Sequence, residues 1–200
     1  MRLLSTSSVL AALVLGCSHA ETPSPGGAMP AAAVAPQDPV VAFQTVRAVL
    51  QDPRCQNCHP ATDRPLQTDT GFTHAMNVQR GPEGHGMTGA ECTTCHGKAN
   101  PPASYGPHQP PGVASTWRMP PPEQPMVFVG RSPRELCEQL KDPKRNGHMT
   151  MDNLLHHVSG DPLVLWGWAP GTDRRPVSVP HAEFVAAFKR WSDAGGPCPP

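Results

Sequence analysis

The sequence predicts a mainly α-helical, loop-rich fold in which a few short helices are separated by irregular segments. Pro and Gly are abundant, with 27 and 18 copies among 200 residues, and both residue types end helices and favour turns. Only 38% of the residues are hydrophobic and 5% are aromatic. No segment gives a convincing strand pattern of alternating apolar and polar residues.

The N-terminus predicts an export signal of the lipoprotein type over residues 1–16. Arg2 is followed by an apolar run that is too short to span a bilayer and fits the hydrophobic region of a signal peptide. The end of the run, Val14–Cys17, resembles a bacterial lipobox, and this predicts that Cys17 is acylated and becomes the mature N-terminus. The alternative is an ordinary signal peptide that is cut elsewhere, for example at Ala20.

Residues 17–37 are rich in Pro, Ala, Gly and Ser without periodicity, which predicts a tether between the lipid and a folded domain at 38–200. Export with acylation would place the protein in the periplasm or cell envelope, anchored to a membrane. The chain has 16 basic and 16 acidic residues, and this zero net charge argues against nucleic-acid binding.

The first helix of the domain is predicted to begin after Asp38, an N-cap residue followed by Pro39 at the first helical position. It is expected to stop at Pro53. Apolar residues recur between these limits at helical spacing: Val40, Phe43, Val46 and Leu50.

Three further helices are predicted towards the C-terminus. Ser132–Glu135 has the pattern of a capping box and starts one of them. Another covers Met151–Val158, and the last runs over His181–Asp193 with Gly195 as its C-terminal cap. One face of the last helix carries Phe184, Phe188 and Trp191. Residues 60–90 are expected to be mostly loop, and the Pro-rich residues 99–125 to be irregular.

Two copies of the pattern Cys-x-x-Cys-His are the most informative feature of the chain. They lie at Cys55–His59 and Cys92–His96. This pentapeptide is the attachment signature of c-type haem, in which two thiols form thioethers and the adjacent histidine binds the iron. The sequence therefore predicts two haem c groups, held by Cys55, Cys58, Cys92 and Cys95, with His59 and His96 as proximal iron ligands.

Two other interpretations of these cysteines are weaker. A zinc site would use four thiolates, but it leaves the histidine after each pair unexplained. A thioredoxin-like redox pair requires a βαβ pattern around the motif, and none surrounds either copy. A signal peptide also disfavours the zinc interpretation, because zinc ribbons are usual in the reducing cytosol.

The cysteine count predicts one disulfide. Of seven cysteines, one is assigned to the lipid and four to the haems, which leaves Cys137 and Cys198. Disulfides persist in exported proteins, so we expect these two to pair. The alternative is two unpaired thiols.

Two covalent haems would also compensate for the scarcity of apolar residues. Each is a large, rigid and mostly apolar body that loops can cover. The predicted fold is therefore a small dihaem c-type cytochrome with a few short helices wrapped around two haems.

The distal iron ligands are open at this level, because ten histidines and eight methionines are available. Three histidines are the candidates. His85 lies between two glycines, which would let the backbone approach a porphyrin closely. His74 is within reach of the first haem by loop length, and His157 lies on a predicted helix beside its apolar face.

Four stretches of the chain resemble a family of small bacterial proteins, the isoquinoline 1-oxidoreductase subunits or dihaem cytochrome c-like proteins. The resemblance covers about Val49 to Cys198 and is carried by Leu50–Pro60, Arg80–Gly97, Cys137–Pro143 and Leu163–Gly171. It implies an electron-accepting subunit beside a molybdenum hydroxylase. It also places His74, His85 and His157 within matching segments.

Two pairs of residues outside the motifs have open roles. Trp166 and Trp168 are expected in the core rather than on a haem. Arg174 and Arg175 are expected to be exposed, with pairing to haem propionates as the alternative.

The leading functional hypothesis is a membrane-tethered electron carrier with a redox partner protein. Such a carrier needs no substrate pocket, because the iron supplies the chemistry and the protein sets its orientation and potential. The alternatives are a dihaem enzyme of the peroxidase type, which needs one iron with an open position, and a haem-based sensor. Whether the protein is an enzyme is uncertain from sequence.

Overall fold

A computed structural model describes residues 38–114, 117–171 and 173–200. The predicted signal peptide, Cys17 and the tether at 17–37 lie outside the described residues. The described residues all belong to one compact unit.

Short helices joined by long irregular segments make up the described part of the chain, which confirms the mainly α, loop-rich prediction. The six α-helices are α1 (Pro39–Leu50), α2 (Pro53–Gln56), α3 (Pro133–Lys141), α4 (Met151–Gly160), α5 (Pro162–Trp166) and α6 (His181–Asp193). Single 3₁₀ turns occur at Ala75–Asn77, Pro82–Gly84, Cys92–Thr94 and Ala103–Tyr105.

Two very small β-hairpins lie in the loop region. Strand β1 (Leu66–Gln67) pairs antiparallel with β2 (Phe72–Thr73), and β3 (Gly86–Met87) pairs antiparallel with β4 (Ala90–Glu91). The sequence did not predict them, because strands of two residues are too short to show an alternating pattern.

The predicted helix starts are confirmed by their hydrogen bonds. The Asp38 carboxylate accepts from the Val40 N–H at 2.8 Å, and Pro39 occupies the first position of α1. Ser132 and Glu135 form a complete capping box at the start of α3. After α6, Gly195 takes a left-handed backbone with φ +80°, as expected of a residue that ends a helix.

The hydrophobic core lies mainly between the long helices, and α1 packs chiefly against α6. Phe43 from α1 meets Trp191 from α6 with 4.9 Å between ring centroids. Trp191 is fully buried, and its indole N–H donates to the Pro197 carbonyl at 3.0 Å. The other core residues come from α1, α3, α4, α6 and the segments beside them: Ala42, Val46, Val49, Leu50, Phe128, Leu136, Leu140, Leu154, Val158, Val177, Phe184, Ala187 and Phe188.

Cys137 and Cys198 form a disulfide, the pairing that the cysteine count predicts. Their Cα atoms lie 5.5 Å apart, and the bond links α3 to the C-terminus across 61 residues of sequence. Cys137 is fully buried, so this end of the bond lies inside the helical core.

Residues 61–125 contrast with this core, because almost none of their apolar side chains are buried. In the described part of this segment, Met119 is the only buried hydrophobic residue. The other buried positions there are Arg80 and three glycines. The helical part of the chain thus has an apolar core of its own, whereas the described residues of 61–125 do not.

Among the described residues, no helix combines the length and apolar character that crossing a membrane requires.

Candidate haem-attachment sites

The first motif begins in α2, directly beside the helical core. Asp52 caps this short helix by accepting from the Arg54 N–H at 2.9 Å. Cys58 follows Cys55 by three residues in the same turn, and its N–H donates to the Cys55 carbonyl at 3.3 Å. Residues three apart on a helical turn lie on the same face, so the turn presents both sulfurs together. Cys55 also packs against the core.

The imidazole of His59 is held by two contacts of different kinds. Its Nδ1 lies 2.7 Å from the Met126 carbonyl oxygen, and its ring stacks on Phe128 with 3.9 Å between centroids and 10° between planes. The Phe128 N–H donates to the His59 carbonyl at 2.9 Å, and this hydrogen bond holds the two segments of backbone together. Met126, whose carbonyl contacts His59, has a left-handed backbone with φ +44°. This conformation is unfavourable for a residue other than glycine.

The second motif forms a 3₁₀ turn in the loop region. The Cys92 N–H donates to the His85 carbonyl at 2.9 Å, and the His96 N–H donates to the Cys92 carbonyl at 3.0 Å. The hairpin of β3 and β4 leads directly into this turn.

His96 repeats the environment of His59. Its Nδ1 lies 2.8 Å from the Pro111 carbonyl oxygen, and its ring stacks on Trp117 with 4.3 Å between centroids and 4° between planes. The edge of Trp166 packs on Trp117, with 5.2 Å between centroids. The Trp166 N–H donates to the Asn100 side-chain oxygen at 3.0 Å.

Each of these contacts leaves one nitrogen of the imidazole available. A neutral histidine that donates from Nδ1 to a carbonyl has its lone pair on Nε2. Histidines that bind metals almost always donate their other N–H to a carbonyl, a carboxylate or a water. His59 and His96 are therefore both oriented as metal-ligating histidines are.

The charge states of the two motif histidines fit the same chemistry. Burial lowers the pKa of His59 to about 4, although the hydrogen bond to Met126 acts in the opposite direction. Burial also lowers the pKa of His96. Both rings are thus neutral at pH 7, which is the form that binds a metal. Burial raises the pKa of the Cys55 thiol to about 12 and that of Cys58 to about 11.

Four unpaired thiols remain in the described part of the chain: Cys55, Cys58, Cys92 and Cys95. Neither motif is closed by a disulfide between its own cysteines. Among the described residues, no group of three or more His, Cys, Asp or Glu side chains is placed to hold one metal ion. The four thiols therefore do not form the tetrathiolate cluster that the zinc interpretation requires.

No protein-family model matches this chain. No curated protein and no solved structure is similar to it at a significant level. The family resemblance of the four stretches therefore stays a prediction.

His74 lies beside the second motif, although its loop length suggested the first haem. Its ring is 6.1 Å from that of His96, measured between centroids. The hairpin of β1 and β2 comes immediately before it and turns the chain back, so that the His74 N–H donates to the Pro65 carbonyl at 2.9 Å.

His85 is exposed, and the glycines on either side of it lie close to other parts of the backbone. A Cβ at Gly84 would lie 2.0 Å from the Met119 carbonyl oxygen, and one at Gly86 would lie 2.7 Å from the Ala90 carbonyl oxygen. Both glycines thus allow close approach of the chain to itself.

His157 lies on α4 and is half-buried beside the core residues Leu154 and Val158, as its helical spacing predicts. Its Nδ1 is 3.4 Å from a carboxylate oxygen of Asp161. The charge of His157 contributes to the lowered pKa of His59, after the larger effect of burial.

The residues with open roles divide between the core and the second site. Trp168 packs against the core and stacks on Phe184, as expected. Trp166 differs from the expectation, because it packs on Trp117 beside the second motif. Arg174 bonds to Asp173 and to the Gln109 carbonyl, whereas Arg175 is exposed as expected.

Sequence reasoning missed the groups that orient the two histidines. The acceptors are backbone carbonyls of Met126 and Pro111, and carbonyls carry no residue-specific signal. Phe128 and Trp117 lie 69 and 21 residues after the histidines they stack on, so spacing does not connect them. Their aromatic character in a chain with 5% aromatic residues was the one available signal.

Proposed function

We propose that this protein is an exported, lipid-anchored dihaem c-type cytochrome that transfers electrons. Cys55 and Cys58 attach one haem c and Cys92 and Cys95 the other, and His59 and His96 are the proximal ligands. Several short helices and the loop region wrap around the two haems. Bound haem iron supplies reversible one-electron chemistry, and the chain fixes the position of each iron and tunes its potential.

The observation that carries this proposal is the matching environment of His59 and His96. The two histidines are 37 residues apart in sequence and lie on different kinds of turn. Nevertheless, each places Nδ1 2.7–2.8 Å from a carbonyl and stacks its ring on an aromatic side chain. Ordinary surface histidines have no reason to share both features, whereas metal-ligating histidines require a fixed tautomer and ring plane.

The loop region supplies a second argument. The described residues of 61–125 are held by turns and polar contacts, yet they bury almost no apolar side chain. Several large apolar side chains are exposed there instead: Phe72, Met76, Met87 and Tyr105. A large apolar group attached at Cys92 and Cys95 would give this segment the core that its own residues lack.

The acylated Cys17 and the tether at 17–37 would hold the domain at a membrane surface in the periplasm or cell envelope. There it would accept electrons from a partner oxidoreductase. The absence of a charge excess agrees with a protein partner rather than a nucleic acid.

Covalent haem content tests the proposal. The full-length protein, produced in a host that matures c-type cytochromes, is expected to carry the added mass of two haems. The double variant Cys55→Ser/Cys58→Ser should carry one, and so should Cys92→Ser/Cys95→Ser. Cys137→Ser/Cys198→Ser is the matched control, because it removes two cysteines outside the motifs and should keep both haems. Wild-type protein without covalent haem would reject the proposal.

The alternative is a dihaem enzyme of the peroxidase type or a haem-based sensor. One observation supports this alternative. A cleft of about 280 Å³ beside α4 is lined by Asn153, His156, His157, Gly160 and Asp161. His157 and Asp161 form a histidine–carboxylate pair in this cleft. An enzyme or sensor would have one iron with an open position, so the reduced protein would bind carbon monoxide rapidly, whereas a carrier with two six-coordinate irons would not.

A further inference from the structure

The rings of His74 and His96 lie close together in an edge-on arrangement at the second motif. Their centroids are 6.1 Å apart, and their planes are inclined by 62°. His96 belongs to the motif, whereas His74 comes from the chain that follows β2. Both side chains are partly buried.

The two rings use the same nitrogen for a protein contact. His74 places Nδ1 2.9 Å from the Ala75 carbonyl oxygen, and His96 places Nδ1 2.8 Å from the Pro111 carbonyl oxygen. Donation from Nδ1 in both rings leaves the Nε2 lone pair of each one available. The pair therefore has two unused nitrogen ligands and no N–H directed at a common partner.

The separation fits two imidazoles on opposite sides of one metal ion. With metal–nitrogen bonds of about 2.0–2.1 Å, two such nitrogens are about 4 Å apart and the ring centres roughly 6 Å apart. An ordinary contact between aromatic rings covers centroid distances of about 4.5–7 Å, so distance alone does not decide. The matching Nδ1 contacts support ligation, because they leave Nε2 free in both rings, whereas a simple packing contact does not require either tautomer.

We propose that His74 is the sixth ligand of the haem attached at Cys92–His96, so that this iron is bound by two histidines. The proposal rests on the proposed function and adds a residue role to it. It also moves His74 from the first haem, where loop length suggested it, to the second.

The backbone around His74 is arranged to hold the ring in place. The hairpin of β1 and β2 ends immediately before it, and the Ala75 N–H donates to the Gln67 side-chain oxygen at 3.3 Å. Met76, two residues further on, has a left-handed backbone with φ +60°. Such strain in a bulky residue persists only where the surroundings impose it, and it concentrates at functional sites.

The side chains on either side of His74 fit the apolar face of a haem. Phe72 is 66% exposed and Met76 is 86% exposed. Large apolar side chains this exposed are unfavourable in water, and both lie within two residues of His74. A haem bound between His74 and His96 would cover apolar side chains in this region.

Ligation by two histidines has a functional consequence. It leaves no open position on the second iron, so small molecules such as carbon monoxide or peroxide would have to displace a ligand. It also gives a lower reduction potential than ligation by histidine and methionine. The second haem would therefore be a low-potential electron carrier.

Substitution of His74 in the full-length dihaem protein tests the proposal. In His74→Ala, we expect one of the two haems to become high-spin and to bind carbon monoxide in the reduced state. Added imidazole should restore the low-spin spectrum. His74→Met should keep a low-spin iron and raise the potential of one haem. The matched control is His108→Ala, because the side chain of His108 is 84% exposed and is not one of the three candidate ligands, and its spectrum should equal that of the wild type.

The same substitution in the Cys55→Ser/Cys58→Ser background, which would retain only the second haem, assigns the change to that haem. An unchanged spectrum in His74→Ala, or a change confined to the first haem, would overturn the proposal. If His74→Ala fails to fold, His74→Met decides in the same way, since an unchanged potential would also overturn it. Absence of covalent haem from the wild-type protein would instead reject the proposed function itself, so the two failures are distinguishable.

Discussion

The indole of Trp117 lies flat on the imidazole of His96, with 4.3 Å between the ring centroids and 4° between the planes. Trp117 is itself fixed by the edge of Trp166, so the plane of His96 is determined by a short row of rings. Arg54, next to Cys55 of the first motif, lies 5.9 Å from the Trp166 ring centroid. This row of contacts connects the two motifs through the protein.

The first prediction concerns this stacking. Trp117→Leu removes a ring contact worth about 0.5–1.5 kcal/mol and lets the plane of His96 rotate. We expect the electron paramagnetic resonance signal of the second haem to broaden and shift, whereas Trp117→Phe keeps a ring and should change it little. Phe128→Leu is the matched variant for His59 and should affect only the first haem. If Trp117→Leu leaves both signals unchanged, the stack does not orient His96.

The second prediction concerns Arg80, which ties together the loop region that lacks an apolar core. Its side chain is 1% exposed and donates to the Asp63 carboxylate at 3.1 Å and to the carbonyls of Thr62 and Pro120 at 3.0 and 2.6 Å. Arg80→Met removes the donor from each of these contacts, at a cost of about 0.5–1.5 kcal/mol for each lost hydrogen bond. Arg80→Lys should not rescue it, because one ammonium cannot replace the planar guanidinium.

Hydrogen exchange measures the effect of Arg80 directly. Amides of residues 61–125 should exchange faster in Arg80→Met, while those of α1 and α6 should keep their protection. Arg64→Met is the control, since Arg64 is an exposed arginine in the same loop. Equal exchange in the two variants would show that the contacts of Arg80 do not stabilise residues 61–125.

The third prediction concerns the Cys137–Cys198 disulfide. It closes a loop of 61 residues, and the loss of such a link costs about 2–4 kcal/mol, chiefly because the unfolded chain gains freedom. Cys137→Ala/Cys198→Ala should therefore unfold at lower denaturant concentration with its haem content unchanged. Reductant should destabilise the wild-type protein to the level of the variant and leave the variant unaffected. A variant as stable as the wild type would contradict a structural role for the bond.

The fourth prediction concerns pH and the capping box of α3. Hydrogen bonds from the backbone and side chain of Ser132 hold the pKa of Glu135 below its ordinary value of 4.5. Because the folded state favours the charged carboxylate, this contribution to stability is present above about pH 4.5 and is lost as the pH falls through the lowered pKa. Glu135→Gln should flatten that part of the stability curve, as measured by denaturant unfolding between pH 3 and 6. Ser132→Ala should cost about 1 kcal/mol at pH 7.

The helices could be predicted from sequence because their signals are local. Asp38 and Pro39 mark the start of α1, and Ser132 and Glu135 mark α3, each within four residues. Helix α4 extends two residues beyond the predicted Val158, which is within the usual uncertainty of helix ends. Helix α5 was missed because its five residues show no periodicity.

The sites could be predicted only in part. The motif residues are close together in sequence, whereas the carbonyls and rings that orient the two histidines are distant in sequence. Cys55–His59 and Cys92–His96 stand out in the sequence. The carbonyl that each histidine contacts lies 67 or 15 residues away, and His74 meets His96 across 22 residues of sequence. Such relationships arise from tertiary folding, which loop length does not reveal.

The last prediction follows from the uneven distribution of the core. Without a haem at the second motif, residues 61–125 would bury only Met119 among their described hydrophobic residues. The helices would keep the Phe43–Trp191 contact and the disulfide.

In Cys92→Ser/Cys95→Ser, trypsin should therefore cleave within 61–125 about tenfold faster than in the wild type, which corresponds to about 1.4 kcal/mol in the free energy of local opening. Mass spectrometry of the fragments locates the cuts, for which Arg64 and Lys98 offer exposed sites. The helical residues from 133 to 193 should stay intact under the same conditions, and cleavage that increased equally in both parts would show that the loop region does not depend on the haem for its order.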